Sequence, residues 1–365
     1  MRRCFSLSPA WIADIFTGVT RGRRLSVLLG LGSWLMVGAL PAQETPAGNA
    51  KPVRLEPGLP GTATKKPGLR ADAVQFNERF LGRWDLTIKD SVGREMPSWL
   101  EIVREQGTCR ARFVGRWGNA RPLPRIEING ERIVFVSPKT EEGSTNDLVF
   151  KGKLMDDTLT GTALGPNHVA WSWTGRPAPT LPRLAVVKWG QAQSLFNGFD
   201  FAGWRSDHPS RSGSWKVEDH CLVNHSAGAN LVTTGSFQDF KLHVEVNCPP
   251  NANSGIYLRG RYEVQVEDDS LSEPPSHHMG AIYGFLAPQP EQARRPGEWQ
   301  SFDIALLGRF VTVVQNGHTI IDDQEIPGIT GGALDSHEEL PGPIYLQGDH
   351  GGIAYRNLIL TPIKP

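Results

Sequence analysis

From Phe76 to its end, the sequence is a succession of short alternations of apolar and polar residues, broken at close intervals by turn signals. A chain patterned with period two buries one face of each segment as a strand. Between Phe76 and about Arg176 the runs are "RWDLTIKD", "SWLEIVRE", "CRARFVG", "RIEING", "RIVFVS", "DLVFKGKL", "TLTGTAL" and "HVAWSWTG", separated by turns such as "DSVGRE", "NGE" and "MDDT". They predict a small all-β domain over residues 76–178, a meander or closed barrel. A packed accessory domain with Trp84, Trp99, Trp117, Trp171 and Trp173 in its core is the expectation.

"RPAPTLPRL", residues 176–184, is Pro-rich and marks a boundary. Beyond it, residues 185–365 carry "KLHVEVNC", "SGIYLRG", "RYEVQVED", "QSFDIALLG", "FVTVVQNGHTI", "GPIYLQG" and "IAYRNLILTPI", with no helical periodicity sustained over ten residues. Asn316-Gly317 supplies the positive φ of a type I′ hairpin turn. Two packed antiparallel sheets follow as the expectation, an all-β jelly-roll sandwich. Trp204, Trp215 and Trp299 are expected to fill its core.

The N-terminal segment reads differently. Arg21, Arg23 and Arg24 precede "LSVLLGLGSWLMVGAL", and Ala42 offers a small residue for cleavage, so residues 1–42 read as a signal peptide and the mature chain as secreted or periplasmic. The apolar run is short of the roughly 20 residues a spanning helix needs, so no stable membrane span is expected after cleavage; an uncleaved anchor is the alternative. No Cys follows the run, which argues against a lipoprotein anchor. Residues 43–75, rich in Pro, Gly, Ala and charge, read as a disordered linker. Lys plus Arg equal Asp plus Glu at 38 each, so no net field attracts nucleic acid or an anionic surface, and uncharged partners are expected. After cleavage Cys109, Cys221 and Cys248 remain; the set is no disulfide framework, although a Cys221–Cys248 bridge stays open, and it has no zinc spacing.

One stretch carries the chemistry. In "NANSGIYLRGRYEVQVEDD", residues 251–269, Tyr257, Arg259, Glu263, Gln265 and Glu267 alternate against Ile256, Leu258, Tyr262, Val264 and Val266. A three-residue loop Arg259-Gly260-Arg261 pairs Leu258 with Tyr262 and Tyr257 with Glu263, keeping the apolar set on one face; a two-residue Gly260-Arg261 turn would break the alternation. The polar face then holds Tyr257, Glu263, Gln265 and Glu267, with Arg259 at its rim. It is either a solvated exterior or the floor of a site, and Gln between two Glu residues suits hydrogen bonding to sugar hydroxyls. "SHHMGAIYG" adds His277, His278 and Tyr283, which could gate a site, supply a proton or bind a metal; "LQGDHGG" adds Gln347, Asp349 and His350 near a strand end.

The second domain resembles the 3-keto-disaccharide hydrolase family, on "SLFNGFDFAGW", "WKVEDHCLVN", "FQDFKLHVEV", "NSGIYLRGRYEVQVED", "GAIYG", "PGEWQSFDIALLG", "NGHTIID" and "GPIYLQGDHGGIAYRNLIL" in order between residues 194 and 360. The resemblance implies a concanavalin A-like sandwich and cleavage of glycosides oxidised at C3. A C3 ketone acidifies the C2 hydrogen, so such a site needs a general base, an enolate stabiliser and a proton donor. The residues expected in those roles are Glu263 as base, Arg259 or a bound divalent cation as stabiliser, and His350 or Tyr257 as donor. Gln265, Glu245, Glu267, Gln347, Tyr283 and His278 are expected to bind an oligosaccharide or glycoside substrate. No nicotinamide fingerprint is present, so a separate sugar 3-oxidising enzyme must act upstream.

Two rival functions fit the same residues. A non-catalytic carbohydrate-binding module would keep the sandwich without an acid or base. A conventional β-glucan hydrolase would need carboxylates roughly 5–10 Å apart. Glu263 and Glu267, four strand residues apart, span about 13 Å, which would leave Glu263 with Glu245 of a neighbouring strand as the pair.

Overall fold

The computed structural model describes residues 76–365 except 117, 184–185, 209–213, 269–272, 294 and 365. The expected signal and linker over 1–75, and Trp117, lie outside the described residues. Nine N-terminal strands form one antiparallel sheet: β1 (Gly82–Lys89), β2 (Glu95–Glu105), β3 (Thr108–Val114), β4 (Arg121–Pro122), β5 (Arg125–Asn129), β6 (Arg132–Ser137), β7 (Leu148–Met155), β8 (Thr158–Leu164) and β9 (Ala170–Pro177). Their order is β4-β3-β2-β1-β9-β8-β7-β6-β5, and the sheet curls until β3 meets β5. Each run singled out in the sequence is a strand. The concave side is filled by aromatics: Phe135 and Phe150 stack at 4.6 Å, with Phe113 and Trp173 edge-on to Phe150. Truncating Phe135, which is fully buried, would cost about 3–5 kcal/mol.

The second part holds β10 (Gln193–Ser194), β11 (Trp204–Ser206), β12 (Trp215–Glu218), β13 (Cys221–Asn224), β14 (Leu231–Thr233), β15 (Phe240–Asn247), β16 (Asn253–Leu258), β17 (Tyr262–Glu267), β18 (Trp299–Leu307), β19 (Phe310–Gln315), β20 (His318–Glu325), β21 (Tyr345–Leu346) and β22 (Ile353–Pro362). An eight-stranded sheet, β12-β13-β22-β15-β18-β19-β20 with β10 on β22, faces a five-stranded sheet, β11-β14-β21-β16-β17. Leu242, Val244 and Val246 of β15 and Phe302 and Ile304 of β18 share one core with Ile256, Leu258, Val264 and Val266 of the smaller sheet. The chain is therefore all-β, a jelly-roll-type sandwich preceded by a curled, barrel-like sheet. Asn316 and Gly317 turn with φ of 51° and 78°, and Gln315 pairs with His318.

Three details differ from expectation or settle it. Trp204 and Trp215 are buried, but Trp299 lies half-buried on the outer face of β18, with the Arg356 guanidinium 3.9 Å from its ring centre. Cys109, Cys221 and Cys248 are unbridged. The barrel and the sandwich also meet through an apolar contact: Trp99 of β2, fully buried, joins the sandwich core and stands edge-on to Phe285 at 5.2 Å.

Candidate active site

The hairpin of β16 and β17 has the register its alternation demands, Leu258 opposite Tyr262 and Tyr257 opposite Glu263. Arg259 and Gly260 make the turn with φ of 53° and 66°, and Arg261 donates its backbone N–H to Leu258 at 3.0 Å. The polar face is not a solvated exterior: Tyr257, Glu263 and Gln265 are 1%, 3% and 2% exposed. Residues 330–334 lie over it. Thr330 Oγ1 accepts the Glu263 backbone N–H at 3.0 Å, and the Tyr257 hydroxyl donates to the Gly331 carbonyl at 2.7 Å. The free edge of β17 is closed by the 280–286 loop, whose Tyr283 backbone N–H reaches the Glu263 carbonyl at 3.1 Å. Covering the edge this way prevents pairing with another chain.

Glu263 is the unusual group. Its carboxyl rests over Gly255, where a Cβ would stand 2.2 Å from Oε1, so a side chain at 255 would displace it. Burial is the main reason its pKa rises to about 8; the carboxylates of Asp349 and Glu267 push the same way, and the Tyr257 hydroxyl partly offsets them. Tyr257 stacks on Tyr345 at 4.2 Å and 11°. Burial first, then the Glu263 charge, raises both phenols well above their ordinary range.

Around this carboxyl the other expected residues divide. Gln265 donates its amide to Glu267, and Gln347, 8% exposed, presents an Oε1 with no hydrogen-bond partner. Gln347 sits opposite Gly255, its backbone N–H bonded to that carbonyl at 2.9 Å. His350 is half-exposed and bonded to Asp349 at 2.7 Å, and that bond holds its imidazole above the ordinary pKa against the effect of burial. Tyr283 is raised to about 12, mostly by burial and then by Glu263. His278 lies at the Glu267 end, bridging Glu291 at 2.8 Å and the Glu273 carbonyl at 2.9 Å, beside a cavity of about 40 Å³ that Glu267 also lines.

Two expected residues stand elsewhere. Arg259 is wholly buried, but its left-handed backbone takes the side chain off the polar face: Nη2 donates to Tyr262 Oη at 3.1 Å and to the Gly308 carbonyl at 2.8 Å. Tyr262 and Arg309 in turn bind Glu338, the arginine at 2.7 Å. Arg259 is thus a member of a buried ion network on the apolar side of the hairpin. Glu245 belongs to β15 in the opposite sheet, on its outer face, where Arg356 and Asn357 hold it at 2.6 and 2.7 Å. It does not share a sheet with Glu263, so the two form no hydrolytic pair. Residues not foreseen at the site are Tyr345, which the period-two alternation with Gln347 could have supplied, and the covering segment at Thr330 and Gly331; Asp349, singled out beside His350, acts on Glu263 through its charge. Among the described residues no group of three or more His, Cys, Asp or Glu side chains is placed to hold a metal ion.

Residues 191–361 match the model of the 3-keto-alpha-glucoside-1,2-lyase-like domain. Residues 191–361 therefore form a domain of that family. A 3-keto-disaccharide hydrolase of Bacteroides thetaiotaomicron is 22% identical over 165 residues, 35% of this chain and 57% of that protein, so the chain spans a little over half of that relative's length. Two crystal structures of glycosyl hydrolase candidates from Parabacteroides distasonis are also similar. One is 30% identical over 50% of this chain and 93% of its own, with a TM-score of 0.40; the other is 20% identical over 47% and 94%, with a TM-score of 0.39. The match to the family begins at residue 191, so the barrel-like sheet lies outside it.

Proposed function

We propose that the sandwich cleaves 3-keto-glycosides by elimination across C1 and C2 followed by hydration, with Glu263 as the base. The observation that carries this reading is a buried carboxyl with no cation among the groups shifting it, on a face whose Gln347 Oε1 is unpartnered. A pKa near 8 makes the carboxylate a far stronger base than an exposed glutamate, as removal of a carbon-bound proton requires.

Glu263 takes the C2 proton, and the C–H electron pair becomes the enolate of the C3 ketone. The enolate collapses to a C1=C2 double bond and expels the C1 oxygen, which leaves with a proton from a donor. Water then adds its hydroxyl to C1 and a proton to C2, giving the free 3-keto sugar. His350, bonded to Asp349 at the exposed rim, suits the donor role better than Tyr257, which is buried and whose phenol burial holds well above its ordinary pKa. With Arg259 turned away, the enolate oxygen is left to hydrogen bonds from Gln347 and Tyr283. The ketone has to come from a separate sugar-oxidising enzyme, and the segment "LSVLLGLGSWLMVGAL" supports export to a periplasm or beyond.

Incubation with a 3-keto-glucoside and with its unoxidised parent tests the reading. Aglycone should be released from the ketone alone, and product formed in D2O should carry deuterium at C2. Binding without release would return the domain to the role of a carbohydrate-binding module, and release from the unoxidised sugar to that of a conventional hydrolase.

A further inference from the structure

The loop that carries Tyr283 is gripped from outside the family domain. Asn119, between β3 and β4 of the barrel, places its amide nitrogen 2.8 Å from His277 Nε2, a contact 158 positions apart in sequence. As the Asn119 amide donates, the His277 proton lies on Nδ1, which faces Glu273 Oε2 at 3.1 Å. Both ring nitrogens are thereby used, and the ring plane is set. That plane packs on Tyr283 at 4.5 Å and 34°. The next residue is held as closely: a Cβ at Gly284 would stand 2.4 Å from Asn119 Cβ, so only glycine admits the approach. Past it, Phe285 meets Trp99 of β2. On the covering segment, Gly331 is pressed against Gly118 in the same way. Tyr283 therefore stands between two residues that the barrel fixes, its backbone bonded to Glu263.

We propose that the barrel is a working part of the active site, and that Asn119 is a positioning residue that holds Tyr283 over the polar face through His277. This rests on the reading of that face as a substrate site. A phenol misplaced by an ångström no longer meets the sugar oxygen it is aimed at, and errors of that size can cost up to about 10²-fold in rate. The barrel's Arg121 also acts on Tyr283, its charge opposing those of Glu263, Glu267 and Glu273.

The test is a cycle of Asn119→Ala, Tyr283→Phe and the double variant on a 3-keto-glucoside. Asn119→Ala should lower kcat roughly 10- to 100-fold with KM changed less than about threefold, and should add no further loss in the Tyr283→Phe background. An equal loss in both backgrounds would overturn the route through Tyr283. Hydrogen exchange provides the readout that needs no turnover: backbone amides of 282–286 should exchange faster in Asn119→Ala, because the bonds of Tyr283 to Glu263 and of Gly284 to Ser276 loosen. Unchanged exchange would refute the grip even if the wild type releases no aglycone, an outcome that by itself contradicts only the proposed reaction.

Discussion

The two faces of one hairpin both bury carboxylates, and they treat them in opposite ways. Beneath the tip, Glu338 meets Arg309 at 2.7 Å, with Tyr262 donating to it and Arg259 close by. Above the sheet, Glu263 is buried as deeply but is met by a hydroxyl and by the fields of two further carboxylates. Desolvation penalises both groups, and only the first is offset by a cation. Even in the paired network the penalty shows: Asp85, beside Glu338, is pushed well above the usual carboxylate range, by burial first and by Glu338 second. A fold tolerates an unneutralised buried carboxyl where something other than stability retains it, and such groups concentrate at functional sites.

The contrast can be broken most forcefully on its paired side. Arg309→Met leaves Glu338 and Asp85 without their main cation and should cost about 3–5 kcal/mol of stability in denaturant unfolding, with rate per folded molecule kept. A small cost would mean that the network is not what holds the hairpin tip.

On the unpaired side, removal of the charge should do the reverse. Glu263 is raised from 4.5 to about 8, so between those values the folded state holds a proton that the unfolded chain has released. Stability from this group therefore falls as pH rises from about 4.5 to about 8 and levels off above. Glu263→Gln should abolish that slope and gain on the order of 1–4 kcal/mol at pH 9. A variant no more stable than the wild type there would show Glu263 to be neutralised after all.

Smaller changes sharpen the comparison. Gly255→Ala puts a methyl where the Glu263 carboxylate lies, 2.2 Å from Oε1, and should slow turnover roughly 10- to 100-fold by moving the base. Arg259→Lys loses the Nη2 that donates to both Gly308 and Tyr262 and should cost about 1 kcal/mol of stability, with kcat altered less than about threefold. A large loss of turnover in Arg259→Lys would restore that arginine to the chemistry.

The hairpin was legible because period two is local: Leu258 opposite Tyr262 follows from the alternation alone, and with it the company of Tyr257, Glu263 and Gln265. Arg259 was not, because period two gives no direction to a side chain at a positive-φ turn position. Glu245 went astray for a different reason. Strand patterning says which face a residue takes but not which sheet its strand joins, and β15 joins the larger one. The cover over the polar face was invisible in the sequence. Thr330 lies 67 positions from Glu263 and Asn119 lies 158 from His277, and neither segment carries periodicity that could announce the contact. Trp299 looked like core, yet a tryptophan serves equally well as a platform for Arg356.

The central claim is that Glu263 is a base because it is buried without a cation. Its most direct test is the rate of aglycone release from a 3-keto-glucoside by wild type and Glu263→Gln between pH 6 and 10. The account predicts that wild-type kcat/KM climbs with a midpoint near pH 8, where the carboxyl ionises, and that Glu263→Gln still binds substrate but turns over about 10²-fold or more slowly at every pH. Release by Glu263→Gln at the wild-type rate, with the same rise near pH 8, would contradict it.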